Sequence, residues 1–82
     1  MFYMFNLKST IIMKKYIFII RLACYHSPRI YMDFECDADA MKCARETLTD
    51  WKKQDATAQI DVFQARRFGD SWISDRWVVS YN

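Results

Sequence analysis

Glycine and proline occur once each in 82 residues, at Gly69 and Pro28. A single glycine excludes the Gly-x-x-x-x-Gly-Lys and Gly-x-Gly-x-x-Gly loops whose backbones cradle phosphates, and with them the usual nucleotide-binding classes. Scarcity of both residues, beside a hydrophobic fraction of 52%, argues against disorder and for long elements joined by few loops. Long apolar runs are missing too. Arg21 ends the uncharged stretch that begins at Tyr16, far short of the ~20 residues of a membrane span. The segment from Lys14-Lys15 to Leu22-Ala23-Cys24 imitates a lipoprotein leader, but its apolar run is shorter than the ~7–15 residues such a leader needs. No membrane partner is expected. Neither sign of charge dominates: twelve basic and ten acidic residues leave +2, too balanced for bulk attraction to nucleic acid. Local clusters at Lys14-Lys15 and Arg66-Arg67, each flanked by aromatics, are the exceptions.

Cysteine is present in an odd number, Cys24, Cys36 and Cys43. Three thiols cannot close a complete disulfide framework, which fits a reducing, cytoplasmic setting in which each behaves as a small buried hydrophobe. With His26 they offer four zinc-type ligands, yet no Cys-x₂₋₄-Cys pair organises them, and no metal is expected. Cys24 and His26 share a strand parity without a glycine-rich oxyanion turn beside them, and Asp37 and Asp39 oppose any activation of Cys36 at a helix start. No catalytic residue and no cofactor are expected.

What is present reads as alternating strands and one helix. Tyr, Ile and Phe between about Lys15 and Cys24 predict a central strand covered on both faces. Tyr25-His26-Ser27-Pro28 predicts the following turn, with His26 exposed in it. Ile30, Met32, Phe34 and Cys36 then alternate with Tyr31, Asp33 and Glu35, the period of a half-buried strand with one wet face. From Asp37 to Lys53 the pattern changes to an amphipathic helix. Its apolar stripe is Ala40, Met41, Ala44, Leu48 and Trp51, with Asp37 and Asp39 as capping candidates and Lys52 and Lys53 at its end. Ile60 opens a third strand, Gly69-Asp70 turns it back, and Ser71 to Tyr81 forms the fourth. The order predicts an α+β fold: an antiparallel four-stranded sheet, β-β-α-β-β, with one helix packed on one face.

Residues 13–82 make one domain. Met13 followed by two lysines looks like a natural start, leaving 1–12 as an extension. The apolar run Phe2-Tyr3-Met4-Phe5-Asn6-Leu7 in it predicts an extra N-terminal edge strand or a segment that feeds a partner, and an exposed edge there would favour a homodimer.

The last hairpin carries more large flat and cationic side chains than one buried face can hold. Trp77, Val79 and Tyr81 share a parity and are expected to cover the helix stripe. Phe63, Arg66, Arg67, Phe68, Trp72 and Arg76 are then left as a partner-binding platform, since Trp and Arg are frequent binding hot spots. An alternative use of the same groups is single-stranded nucleic acid, with Phe63, Phe68 and Trp72 stacking bases and Arg66, Arg67 and Arg76 meeting phosphates.

From Tyr16 to Tyr81, with its Asp-Ala-Asp-Ala-Met-Lys helix entry and Trp-rich final hairpin, the chain resembles in size and layout the small phage-encoded anti-CRISPR proteins. That resemblance implies a stoichiometric inhibitor that binds a CRISPR effector complex in the host cell. Many such inhibitors are acidic DNA mimics, whereas this chain is slightly basic, so the implied mechanism is steric blockade by the aromatic hairpin.

Overall fold

The computed structural model describes residues 12–82, so the expected N-terminal edge strand in 1–12 lies almost wholly outside the described residues. The fold is α+β, with an antiparallel sheet and one helix packed against it. In chain order the elements are β1 (Lys14–Leu22), β2 (Tyr25–His26), β3 (Ile30–Phe34), α1 (Asp37–Lys52), β4 (Gln59–Phe68) and β5 (Ser71–Tyr81). β1 lies centrally, paired along one edge with β4 and along the other with both β2 and β3; β4 pairs in turn with β5. The expected second strand is thus present as two collinear pieces, which raises the strand count from four to five.

The break between those pieces has a local cause. Pro28 has no N–H to donate and is tolerated only on an edge strand. Ser27 extends the pairing of β2 up to it, its N–H donating to the Ile20 carbonyl at 2.8 Å and its Oγ accepting the Ile20 N–H at 2.9 Å, and the register then shifts by one residue before Ile30 pairs with Phe18. The reversal itself falls at Ala23-Cys24, earlier than the expected turn, and Tyr25–His26 pairs back onto Leu22 and Arg21.

Ala40, Ala44 and Leu48 form the buried stripe of α1, spaced by four so that they line one face. They pack on Tyr16, Phe18 and Ile20 of β1 and Ile60 and Val62 of β4. Phe34 closes the cluster from β3, edge-on to Tyr16 with ring centroids 5.8 Å apart and stacked on Phe18 at 6.0 Å. Cys43 packs on the rim of this core, but Cys24 and Cys36 are exposed, against the expectation of three buried thiols. Cys24 lies in a two-residue turn and Cys36 at the N-cap ahead of the helix, both outside the elements that enclose the core. The N-cap is Cys36, which makes no side-chain cap; Asp37, expected there, is the first helical residue instead.

Trp77 departs most from expectation. It is 60% exposed and lies outside the core that takes Val78, Val79 and Tyr81. The reason is two β-bulges: Val62 pairs with Val79 but Phe63 pairs with Trp77, and Gln64 pairs with Arg76 but Ala65 pairs with Ser74. Val78 and Asp75 are the extra residues, and each reverses the alternation of β5.

The β4–β5 turn is two residues long, with Gly69 at φ 62 and no positive φ at Asp70, as a type II′ hairpin requires. A Cβ at Gly69 would meet no atom within 4 Å, so any penalty is purely of backbone conformation. Gly69→Ala is expected to lower the unfolding free energy by about 1–2 kcal/mol in urea denaturation. An unchanged midpoint would show that the turn relaxes to another type.

Candidate functional site

β5's bulges sort the final hairpin between two unlike surfaces. On the helix side Arg76 lies opposite Gln64 and reaches the start of α1, its Nη2 donating to both Asp37 carboxylate oxygens at 3.0 Å and its Nε to Gln64 Oε1 at 3.1 Å. Tyr16, itself buried, donates its hydroxyl to Asp37 Oδ1 at 2.7 Å. Asp37 is therefore a clamp between helix and sheet. Its bonds from Arg76, then Tyr16, hold its carboxyl below the usual range, while burial and the Asp37 carboxylate push the Tyr16 phenol well up. Arg66 shares this side and pairs with Asp75 at 3.2 Å. Phe68 has the parity of Arg66 and stands 65% exposed at the hairpin end, beyond the helix.

The other face of the sheet is covered by no described element. Cross-strand register lines up Tyr31, Ile17, Phe63 and Trp77 in one row over β3, β1, β4 and β5. Ile17 is fully buried, whereas Tyr31 at 46% and Trp77 at 60% exposure stand at the two ends. Trp77 is nonetheless fixed. Its indole N–H donates to Ser80 Oγ at 3.0 Å, Ser80 donates to Asp61 Oδ1 at 2.7 Å, and Arg21 Nε lies 3.0 Å from Asp61 Oδ2. That last contact is one of charge, since Arg21 Nε–H makes no well-aligned hydrogen bond.

Towards the hairpin end the same face carries Trp72 between two cations, with Lys15 Nζ and the Arg67 guanidinium carbon each 5.3 Å from its ring centroid. Lys15 is paired with Asp33 at 3.0 Å, and Arg67 Nε donates to the Gly69 carbonyl at 3.1 Å.

Of the six expected platform residues, Phe63, Arg67 and Trp72 share the helix-free face; Arg66, Phe68 and Arg76 do not. Sequence reasoning missed Trp77, Tyr31 and Lys15 as members. Tyr31 was marked by its place on the wet parity of β3, but for Trp77 the only trace is the polar Ser74-Asp75 pair interrupting an aromatic strand.

A shallow concavity lined by Arg45, Leu48, Thr49, Lys52, Tyr81 and Asn82 lies on the helix side, along the second half of α1 and away from the Asp37 clamp. Its cations are already engaged, Arg45 with the Tyr81 hydroxyl at 3.0 Å and Lys52 with the Ala56 carbonyl at 3.1 Å. Among the described residues no three His, Cys, Asp or Glu side chains converge as a metal site, and no helix is long and apolar enough to cross a membrane. No known protein family, curated protein or solved structure matches this chain.

The clamp has a two-sided pH signature. Asp37, with its acidity strengthened by folding, adds stability above the ordinary carboxylate range that is lost as pH falls through its folded value; at a half-exposed site this is below about 1 kcal/mol. Tyr16, with its acidity weakened, adds stability below about pH 10 that is lost as pH rises beyond it. Urea unfolding of Tyr16→Phe is expected to lack the alkaline decline of the parent between pH 9 and 11, and Asp37→Asn to flatten the acid limb. Parallel profiles for parent and Tyr16→Phe would remove the phenol from the linkage.

Proposed function

We propose that the chain is a non-enzymatic protein-binding module that docks through its helix-free sheet face. The observation that carries this reading is Trp77: a large aromatic 60% exposed, yet held in one orientation by Ser80, Asp61 and Arg21. A side chain ordered before binding loses little entropy on association, and Trp is the residue type most enriched among hot spots. Tyr31, Phe63 and Trp72 extend the same surface.

The resemblance in size and layout to anti-CRISPR proteins takes the proposal one step further, to a stoichiometric inhibitor that sits on a CRISPR effector complex in the host cytoplasm and blocks it sterically. The nucleic-acid reading is less favoured by geometry. Phe68 lies on the opposite side from Phe63 and Trp72, and two cations already occupy the Trp72 ring. A base would have to displace one of them before it could stack.

Light scattering after size exclusion, with the chain alone and mixed with a CRISPR effector complex, tests the proposal. Co-elution is expected, weakened about 30-fold or more in affinity by Trp77→Ala, a hot-spot loss of about 2 kcal/mol. Arg66→Ala, on the other side, is expected to change it little. A complex indifferent to both Trp77→Ala and Tyr31→Ala would refute this face as the docking surface. Absence of any complex, with salt-sensitive comigration of an oligonucleotide, would transfer the function to nucleic acid.

A further inference from the structure

Among the strand residues of the helix-free face, charge is closed pair by pair with one exception. Lys15 is matched by Asp33 and Arg21 by Asp61, each at 3.0 Å. Arg66 and Arg76 are matched as well, on the other side of the hairpin. Arg67 alone of these has no carboxylate within ion-pair distance among the described residues; its one hydrogen bond there runs from Nε to the Gly69 carbonyl. That bond and the Trp72 ring hold the guanidinium in place and, among the described residues, leave its two terminal nitrogens as an unfilled fork, the geometry that takes a carboxylate bidentately.

Resting on the protein-binding reading above, we infer that the partner is a polypeptide segment presenting a carboxylate to Arg67 and a large apolar side chain to the Tyr31–Phe63–Trp77 row. Arg67 lies four residues beyond Phe63 on β4, about 13 Å at strand rise. The two partner groups therefore stand about four residues apart in an extended segment, or about nine in a helical one. A phosphate backbone fits less well. Asp33 and Asp61 share the face with Lys15, Arg21 and Arg67, so its strands carry only one net positive charge to offer a chain of phosphates.

Selection of random 16-residue peptides displayed on phage against the immobilised chain tests this. Enriched peptides are expected to pair an Asp or Glu with a large apolar residue at one of those spacings. Each should lose binding when Trp77→Ala replaces the parent. Arg67→Ala should weaken them at least tenfold, as should converting the peptide's own carboxylate to its amide, and the two changes together should cost little more than either alone. Circular dichroism checks that Arg67→Ala remains folded, and Arg67→Lys, which keeps charge but loses the fork, should fall between.

Peptides that need Trp77 but ignore Arg67, or that contain no acidic residue, would overturn this inference and leave the protein-binding face standing. Failure to enrich any peptide dependent on Trp77 would overturn both. So would competition for the face by a fifteen-residue oligothymidylate. A chain that is dimeric in the same buffer, and monomeric as Trp77→Ala, would make a second copy the occupant and overturn the inference as well.

Discussion

With strict alternation, Trp72 and Trp77 would lie on opposite faces of β5, because they are five positions apart. Arg76 would likewise lose its place beside Gln64. The two bulged residues, Val78 and Asp75, change this, each shifting the register by one against an uninterrupted β4. Both tryptophans are thereby delivered to the helix-free side, while Arg76 between the bulges turns to the helix. The clamp on Asp37 and the aromatic row thus have a common origin in the backbone of one strand.

That strand also explains why the two sides of the sheet are stabilised so differently. On the helix side, apolar residues from α1, β1 and β4 exclude water, and the polar network of Tyr16, Asp37, Arg76 and Gln64 sits at the margin where the helix begins. A carboxylate there also lies favourably against the helix dipole. Among the described residues of the other side only Ile17 and Ala65 are buried deeply, and no described element forms a second layer there. Paired charges and cation–aromatic contacts surround them. Such a face keeps its shape in water and can still bury apolar area against a partner, because the exposed Trp77 ring is already oriented.

Much of this order was legible in the residues. The Ala40, Ala44 and Leu48 spacing, the acidic entry at Asp37 and Asp39 and the basic exit at Lys52 specify α1 almost to its ends. Gly69-Asp70 between two aromatic runs specifies the final hairpin, and β5 begins and ends where its composition says. What escaped was whatever depends on departures from regular periodicity. Period-two logic placed Trp77 with Val79 and Tyr81 because a bulge changes no residue type, only the backbone angles. The break at Pro28 was visible as a turn, but not that Ser27 would carry the pairing through to Tyr25–His26. Arg76 and Arg66 were expected to seek a partner; both find carboxylates within the chain, and pairing of that kind depends on tertiary distances. Of the candidate platform, the half that shares the helix-free face is the half lying on one parity of β4 together with its cross-strand partner Trp72.

The bulges bear equally on how a partner can approach. β5 has a free outer edge among the described residues, and an eleven-residue edge strand rich in Trp, Val and Ile would otherwise invite a further strand to add to it. Each bulge interrupts the regular row of N–H and C=O groups and increases the local twist, and Asp75 and Arg76 put charge at the point of interruption. Edge-to-edge pairing is thereby opposed along the same strand that presents Trp72 and Trp77 sideways. The proposed partner would meet an edge unsuited to main-chain pairing and a face on which Trp72 and Trp77 are fixed in advance. Recognition through side chains on the sheet face is the mode that β5 leaves open.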